Sequence, residues 1–395
     1  MKSDFLKYQA QTSSHPLSIE IARAEGSYVY DINEKVYLDF IAGVSANSLG
    51  HNHPKINKAI VNQVQKYTHV MVYGEFIQKP AVELCKLLTL QLPNSENWSV
   101  YLTNSGTEAT EGALKLAKRF TGRSEIIAAK NAYHGNTQGA MSICGNENQN
   151  RAFRPLIPGV KFITYNKEDE ILKITNKTAA VILETIQGGA GFIVPQNDYL
   201  VKVKKRCIEV GALLILDEIQ TGIGRTGTFF GFENYGTTPD IIITGKGLGG
   251  GMPIGAFIAP RNIMSTLKEN PKLGHITTFG GHPVIAASAL ATVNEITSSK
   301  LMTDVSHKET LFRQYLQHPA IKEIRGKGLL LALIVDTPEM ASQIILKSLE
   351  KGLLLFWLLY ENRAVRITPP LNISDTEIKN GCEIILNVID DITKK

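Results

Sequence analysis

A lysine among glycines is the first place where this sequence could do chemistry. Residues 241–251 read IIITGKGLGGG, and Lys246 is the only large polar side chain in the turn that follows the apolar run. A lysine held in a closed site has a lowered pKa, and its amine becomes a nucleophile toward an aldehyde. A lysine on the surface of an ordinary loop is the alternative. A phosphate loop of the NTPase type is excluded because Gly247 stands where that motif needs Ser or Thr.

A carboxylate ends a second apolar run, ALLILDEIQTG. The two-residue period of a strand sends Asp217 and Ile219 to the same face, and Gln220 follows directly. A carboxylate at the end of a buried strand costs free energy unless a positive group meets it. That group could be a structural arginine or the protonated ring nitrogen of a cofactor.

The start of a predicted helix in LTNSGTEA offers a place for a phosphate. Gly106 would let a ligand approach the backbone, Thr107 offers a hydroxyl, and the N-terminus of a helix over 106–120 attracts anions. Ser105 and Glu108 also fit a capping box, in which the two side chains only close free amides of the helix. Both interpretations stay open from this segment alone.

Two further turns carry side chains that suit a flat, phosphorylated ligand. Tyr133 and His134 follow the apolar run in AAKNAYHGN, where an aromatic ring can stack on a heterocycle or can simply pack. Thr277 and Thr278 precede paired glycines in GHITTFGGHP. Their hydroxyls are compatible with a phosphate and equally with an ordinary turn.

Two other patterns are weak candidates for binding sites. Gly222, Gly224 and Gly227 satisfy G-x-G-x-x-G, but a dinucleotide fold needs an amphipathic helix directly afterwards, and TFFGFENYGTTPD has no helical stripe. The histidines of HNH at 51–53 have no nearby third ligand, so no metal site is predicted.

The strands that must position these side chains are short runs, several of them without polar alternation. Such runs, separated by helical patterns, are typical of strands buried on both faces of a mostly parallel sheet in an α/β domain. Ligands of open α/β sheets bind at the carboxyl ends of the strands, where the residues above are found. The predicted strands are 98–103, 125–130, 160–165, 179–184, 212–217, 241–244 and 255–259.

The last part of the chain has a different pattern. A long helix near 283–298, then alternating elements and a final helix at 374–391, predict a smaller α+β domain over 286–395. Residues 1–45 are expected to join this domain, which leaves 46–285 as the large domain.

Composition narrows the class of function. Among 395 residues, 42 Lys and Arg stand against 37 Asp and Glu, and so mild a net charge, +5, argues against nucleic-acid or membrane binding. The four cysteines form no CxxC pair, which argues against a zinc cluster or a disulfide framework and fits a reducing compartment. Because MKSDFLKYQAQTSSHP lacks the apolar stretch of an export signal, a cytoplasmic protein is expected.

Taken together, these junctions resemble one family, the class III aminotransferases of the ornithine and acetylornithine type. Members of that family use pyridoxal 5′-phosphate on the fold type I, or aspartate-aminotransferase-like, architecture. The resemblance extends over nearly the whole chain. It is carried by GHNHPKI, SGTEA, AYHG, LDEIQTGIGRTG, TGKGLGGGMPIGA, TFGGHP and VRITPPL.

The resemblance implies roles for the residues around the cofactor ring. Lys246 would hold the cofactor as an imine and then move a proton between substrate and cofactor. Asp217 would keep the pyridine nitrogen protonated. Tyr133 and Ile219 would sandwich the ring, and Gln220 would hydrogen-bond its phenolic oxygen. On this interpretation the glycines around the lysine give the cofactor room.

The resemblance also implies how the cofactor's phosphate is held. Ser105, Gly106 and Thr107 at the helix start would bind it, assisted by Thr278 of a second subunit, and His134 belongs to the same cofactor site. Since the family's active site is shared between chains, a homodimer is the smallest assembly expected.

Substrate recognition departs from the family's pattern. Arg366 in AVRITPPL matches the arginine that receives a substrate carboxylate through a bidentate pair. Asn136 stands where ornithine-type members often have arginine, which removes one carboxylate anchor. Gly189 replaces a glutamate that often pairs with the carboxylate-binding arginine, so its loss should leave Arg366 available. Thr185 for the usual proline and His282 for the usual asparagine are further departures.

The leading functional hypothesis is transamination from an amine or ω-amino acid, such as ornithine, acetylornithine or 4-aminobutyrate, to a 2-oxo acid such as 2-oxoglutarate or pyruvate. A lyase or aminomutase that uses the same cofactor is the second hypothesis. A non-catalytic binding protein that kept the fold is the third. Intact Lys246 and Asp217 argue against the third.

Overall fold

A computed structural model of the chain describes residues 1–394, which form fifteen strands and thirteen α-helices. The strands are β1 (Ile21–Glu25), β2 (Tyr28–Asp31), β3 (Val36–Asp39), β4 (Trp98–Thr103), β5 (Glu125–Ala129), β6 (Val160–Ile163), β7 (Thr178–Glu184), β8 (Leu213–Asp217), β9 (Ile241–Gly245), β10 (Gly255–Pro260), β11 (Glu323–Lys327), β12 (Leu330–Ile334), β13 (Leu353–Leu354), β14 (Phe356–Trp357) and β15 (Ala364–Ile367). The helices are α1 (Lys2–Tyr8), α2 (Ala42–Ser45), α3 (Pro54–Val64), α4 (Lys79–Thr89), α5 (Gly106–Thr121), α6 (Gln138–Ser142), α7 (Glu147–Asn150), α8 (Tyr199–Val210), α9 (Arg261–Met264), α10 (Pro283–Ser298), α11 (Leu301–Tyr315), α12 (Pro338–Glu350) and α13 (Asp375–Thr393).

All seven strands predicted for the large domain form one sheet, in the order β4-β10-β9-β8-β7-β5-β6. β10 is antiparallel to both of its neighbours, whereas the pairs from β9 to β6 are parallel. The predicted fold class, an α/β protein with a mostly parallel central sheet, is therefore confirmed.

Both faces of this sheet are covered, which explains why the strands lack polar alternation. In β8, Leu214 and Leu216 pack into the core that contains Val203 of α8, while Leu213 and Ile215 pack on the opposite face with α5. Successive side chains of a strand point to opposite faces, so a strand between two helical layers must be apolar at every position.

Two smaller sheets flank the central one. The sheet β1-β2-β3-β13 joins the beginning of the chain to its last third, because Leu353 and Leu354 pair in parallel with β3. The sheet β11-β12-β15-β14 holds Arg366 in its strand β15. The helices predicted near 283–298 and 374–391 are present as α10 and α13. Within residues 1–394, no helix is both long and apolar enough to cross a membrane.

Candidate active site

A cavity of about 250 Å³ lies where the central strands end. It collects residues that follow β4, β5, β7, β8 and β9, as expected for a sheet whose ligand site is at the carboxyl edge. Nine of the twelve predicted site residues line it, and Ser105, Thr278 and Arg366 lie outside the lining. The lining residues are Gly106, Thr107, Tyr133, His134, Gly135, Asn136, Glu184, Ile186, Asp217, Ile219, Gln220, Thr221 and Lys246.

Lys246 faces this cavity directly after β9, in the first turn of a short 3₁₀ segment. Its φ of 42° lies in the left-handed region, which a residue with a side chain occupies only when its surroundings enforce it. Burial, together with the nearby charge of Arg366, lowers the pKa of Lys246 from 10.5 to about 8. The side chain is therefore a buried amine that loses its proton more readily than a lysine on the surface of a loop.

The glycines around Lys246 serve packing rather than the room for a cofactor that the sequence interpretation gave them. A Cβ at Gly247 would lie 2.5 Å from Ser48 Oγ, and one at Gly251 would lie 2.6 Å from Asn47 Oδ1. Gly250, with φ of 59°, similarly faces α10 at Thr292. The turn is glycine-rich because it packs against residues 45–48 and a helix without any side chain between them.

Asp217 ends β8 and lines the cavity, and neighbouring groups of the protein hydrogen-bond to its carboxylate. His134 Nδ1 lies 2.8 Å from Asp217 Oδ2, and the backbone N–H of Ile219 donates to Oδ1 over 2.9 Å. His134 is fully buried, and its ring nitrogen supports the carboxylate from within the cavity wall. Two carboxylate oxygens carry about four acceptor sites, so this one keeps acceptor capacity for a cationic N–H.

Glu184 is a site residue that the sequence interpretation missed. It ends β7 beside Asp217, since the parallel register pairs the two residues. Its carboxyl group accepts from the backbone N–H groups of Tyr133 (3.2 Å) and Gly188 (2.9 Å). Burial raises its pKa to about 7. The available signal was its position at the end of an apolar run, the same signal that identified Asp217.

The helix start beside the cavity is built largely as predicted. Ser105 caps α5 by accepting the N–H of Glu108 over 3.3 Å, but Glu108 binds the N–H of Asn104 instead of Ser105, so only half of the predicted capping box forms. A Cβ at Gly106 would lie 2.6 Å from Ile219 Cδ1. The glycine is thus required by the close approach of Ile219, which brings this side chain to the cavity.

Arg366 lies next to the cavity rather than in its lining. Its Nη1 donates to Gln220 Oε1 over 3.1 Å, and its guanidinium lies 5.3 Å from the ring centre of Phe192. Only 4% of the residue is exposed, its Nε has no partner among the described residues, and burial lowers its pKa to about 10. Because Arg366 uses the amide oxygen of Gln220, a residue of the cavity lining, the NH₂ group of that amide remains available as a donor.

Thr278 is exposed and lies apart from its own chain's cavity. Its neighbours Thr277 and Gly280 line a groove together with Phe76, which is 58% exposed, and the adjacent Phe279 is 51% exposed. Exposed aromatic side chains at such a groove are typical of interaction surfaces.

Known proteins with the same architecture identify the family. The family model described as "Aminotransferase class-III" matches residues 8–389. The chain belongs to the class III aminotransferases. It is 39% identical over 386 residues to an acetylornithine aminotransferase of Caldanaerobacter subterraneus subsp. tengcongensis, covering 95% of both chains.

Two solved structures of an ornithine aminotransferase have the same fold. A crystal structure of the ornithine aminotransferase from Toxoplasma gondii matches with a TM-score of 0.91 at 31% identity, covering 100% of this chain and 96% of that one. A second structure of the T. gondii enzyme, described as having partial occupancy of PLP at its active site, matches with a TM-score of 0.90 at 30% identity, covering 100% and 95%.

Class III aminotransferases use pyridoxal 5′-phosphate, and the residues around this cavity fit that group. An amine of lowered pKa suits an aldehyde, and a supported carboxylate suits a protonated ring nitrogen. Tyr133 and Ile219 offer an aromatic and an aliphatic wall. At the start of α5, Glu108 N–H and Ala109 N–H are bound to Ser105, which leaves the first two amides of the helix for an anion.

Two departures from the family's pattern have a structural account. The Thr185 hydroxyl donates to Glu218 Oε1 over 2.5 Å, which a proline there could not do. Glu218 is fully buried and takes further bonds from Thr221 and two backbone amides, so this hydroxyl helps to satisfy a buried carboxyl group. His282 stacks on His69 with ring centres 5.3 Å apart and planes 2° from parallel.

The third departure, Gly189, is in contact with an aromatic residue near the C-terminus of the chain, Tyr360. Tyr360 donates its backbone N–H to Gly189 O over 2.9 Å. A Cβ at Gly189 would lie 2.9 Å from the Tyr360 ring, so the ring occupies the space into which a side chain at 189 would project.

Proposed function

We propose that this class III aminotransferase transfers the amino group of acetylornithine, or of a related ω-amino acid, to a 2-oxo acid such as 2-oxoglutarate. The observation that carries the proposal is the juxtaposition of Lys246 and Asp217 on one cavity, with a buried arginine held beside it. The acetylornithine aminotransferases among the relatives support the choice of donor.

Each residue of the site has a defined task in this proposal. Lys246 would hold the cofactor through its aldehyde and would supply the amine that moves a proton to and from the substrate carbon. Asp217, oriented by His134, holds the proton on the pyridine nitrogen. The bound cofactor supplies an electron sink for the negative charge that develops at the substrate carbon. Tyr133 and Ile219 hold the ring flat between them.

The substrate's carboxylate is assigned to Arg366. Its guanidinium donates to an amide and stacks over Phe192 instead of pairing with a carboxylate, in the part of the chain described. A bidentate pair with a substrate carboxylate would use its remaining donors. Gln220 connects this arginine to the cavity, and its NH₂ group would donate to the cofactor's phenolic oxygen. Asn136 also lines the cavity, where it would contribute polar contacts without charge.

The working assembly in this proposal is a homodimer in the cytoplasm. The exposed apolar side chains around Thr278 support an interface there, across which Thr278 would reach the partner's phosphate site. The free thiols Cys85, Cys144, Cys207 and Cys382 support a reducing compartment. The pairing of β3 with β13 supports joining residues 1–45 to the C-terminal domain, 286–395, around a large domain of 46–285.

A donor panel read on the bound cofactor tests the proposal. The purified enzyme is treated with acetylornithine, ornithine, 4-aminobutyrate, β-amino acids or simple amines, without an oxo acid. Conversion of the chromophore to the pyridoxamine form, strongest with acetylornithine, is the expected result. An aldehyde form that persists or regenerates without an oxo acid would indicate lyase or aminomutase chemistry instead.

Borohydride reduction and peptide mapping test the covalent role separately. The cofactor should be found on the peptide that contains Lys246 and should be missing from Lys246→Ala. Attachment at another lysine, or the absence of a reducible chromophore, would contradict the proposal and favour a non-catalytic binding protein.

A further inference from the structure

One face of helix α5 is hydrogen-bonded to the turn that carries Tyr133. Thr107, Thr110 and Glu111 lie at helical spacings of three and four residues, so their side chains share one face. All three contact the segment 133–140, which contains four residues of the cavity wall, Tyr133, His134, Gly135 and Asn136.

The contacts run the length of this face. The Thr110 hydroxyl donates to His134 O over 2.9 Å. Glu111 Oε1 accepts from the Thr137 hydroxyl (2.6 Å) and from the backbone N–H groups of Gly139 (2.8 Å) and Ala140 (3.1 Å). The Thr107 and Thr137 hydroxyls lie 2.8 Å apart, and the Thr137 N–H points to Thr107 Oγ1 at 3.3 Å.

The number of hydroxyl protons fixes the direction of this network. A hydroxyl has one proton, and an ionised carboxylate can only accept. Thr137 must therefore donate its proton to Glu111, which leaves Thr107 as the donor between the two threonines. The Thr107 hydroxyl gives its only proton to Thr137 and so has none to give to an anion at the start of the helix.

Two glycines of the turn make this approach possible. Gly135, with φ of 127°, lies so close to Thr107 that a Cβ there would overlap the threonine side chain, and a Cβ at Gly139 would overlap the Glu111 carboxylate. The Thr107 side chain therefore packs directly against the backbone of the turn. Its backbone N–H, in contrast, belongs to the free amides at the helix start.

We propose that Thr107, through Thr137 and Glu111, is a positioning residue that clamps the Tyr133 turn onto α5, and that the cofactor's phosphate is held by backbone amides rather than by the Thr107 hydroxyl. The inference rests on the proposed cofactor site and goes beyond it. It assigns two functions to one residue: the backbone amide of Thr107 binds the anion, and the side chain holds the cavity wall in place.

Four variants of the full-length enzyme test this division: Thr107→Val, Thr107→Ser, Thr137→Val and Glu111→Gln. For each, the thermal midpoint of the cofactor-free protein is measured with and without inorganic phosphate, and visible circular dichroism is recorded with pyridoxal phosphate bound. Thr107→Val and Thr137→Val should lower the cofactor-free midpoint by about 1–2 °C, the shift expected for one lost hydrogen bond in a chain of this length. Both should change the visible dichroism because the ring wall moves, and both should keep the wild-type rise in midpoint on adding phosphate. Thr107→Ser should keep wild-type behaviour, and so should Glu111→Gln, because the amide oxygen of Gln can still accept from the Thr137 hydroxyl and the backbone N–H groups.

A different pattern would overturn the proposal. If Thr107→Val loses the response to phosphate while Thr137→Val keeps every wild-type property, the hydroxyl is the phosphate donor. If midpoints fall but the dichroism stays unchanged, the clamp does not position the ring. These outcomes are independent of the reaction type, because the phosphate response is read without the cofactor. Failure of wild type to form a chromophore would instead count against the proposed function.

Discussion

Lys246 owes its reactivity to specific neighbours. Burial is the largest cause of its lowered pKa and the positive charge of Arg366 is the second, while Asp217 and Glu184 act in the opposite direction. With a pKa of about 8, the neutral amine predominates above that pH instead of only above the 10.5 of an ordinary lysine. The same arginine that is assigned to the substrate therefore also contributes to the lowered pKa of the amine.

Removing Arg366 should shift the pH dependence of covalent capture. In wild type, the rate at which cofactor-free enzyme bonds to pyridoxal phosphate should rise with pH and reach half its maximum near pH 8, where the amine loses its proton. Arg366→Gln removes a positive neighbour, so the lysine pKa rises and this midpoint moves to higher pH. Stopped-flow absorbance across a pH series measures it.

Arg363→Gln is the matched control, because Arg363 lies on the same hairpin but is 44% exposed and paired with Glu361. Its midpoint should stay at the wild-type value, since an exposed, paired charge is screened. An unchanged midpoint in Arg366→Gln would show that the arginine's charge does not reach the amine.

Glu184 should make stability depend on pH in a defined window. Its pKa is raised from 4.5 to about 7 in the folded protein, so its protonated form is favoured by folding. Its contribution is fully present below pH 4.5 and is lost as the pH rises through 7. Compared with Glu184→Gln, wild type should therefore lose stability, on the order of a few kcal/mol, over that range.

Urea unfolding of the cofactor-free protein at several pH values measures this difference. Glu209→Gln, at an exposed position of α8, should show a pH dependence equal to that of wild type. A constant difference between wild type and Glu184→Gln over the whole window would contradict the raised pKa.

The single-residue comparison also shows what the sequence can reveal. Lys246 and Asp217 were predictable because each follows an apolar run directly. Glu184 ends an equally apolar run, yet its role depends on the parallel register that pairs it with Asp217. The direction of the Thr107 hydroxyl depends on Thr137 and Glu111, whose contacts are made only when helix and turn pack.

Elements from distant parts of the chain meet above the site. The turn after β7 contains Gly189, and the hairpin of β14 and β15 carries both Tyr360 and Arg366. The seven strands were predictable because burial on both faces leaves a local signature in each run. The fit of Tyr360 onto Gly189 had no such signature, because 171 positions separate the two residues.

Restoring the family's glutamate by Gly189→Glu should therefore impair this enzyme. The new side chain would meet the Tyr360 ring, since even a Cβ lies 2.9 Å from it. Lower thermal stability and a lower kcat/KM for acetylornithine are expected. Adding Tyr360→Ala should relieve part of both losses, with a coupling of about 0.5–3 kcal/mol in a double-mutant cycle.

Tyr360→Ala alone is the reference for that cycle, and Leu359→Ala, at a half-exposed neighbouring position, is the control. Strictly additive effects of Gly189→Glu and Tyr360→Ala would mean that the ring does not restrict position 189. In that case the glycine would have to be explained by the backbone of the turn alone.

At the scale of the whole molecule, one predicted contact, that of Thr278 with the cofactor's phosphate, requires a second chain. Thr278 is exposed and is not part of the lining of its own cavity, whereas Lys246, Asp217 and the start of α5 line that cavity together. We therefore expect Thr278 to serve the phosphate site of a second chain. Two chains related by a two-fold axis would satisfy both sites at once, because each surface would complete the other.

Mixing two inactive variants tests this sharing. Lys246→Ala lacks the amine, and Thr278→Asp places a negative charge where the partner's phosphate would bind. In a mixed dimer, the Thr278→Asp chain keeps its own Lys246 and receives Thr278 from the Lys246→Ala chain, so one site is intact. After equal amounts are refolded together, random pairing makes half of the dimers mixed, and each mixed dimer has one working site of two. Activity should therefore recover to about a quarter of wild type.

The control mixes Lys246→Ala with a chain carrying both substitutions, which leaves every dimer without the Lys246 amine and should stay inactive. If the first mixture also stays inactive while size-exclusion chromatography shows mixed dimers, Thr278 does not act across the interface.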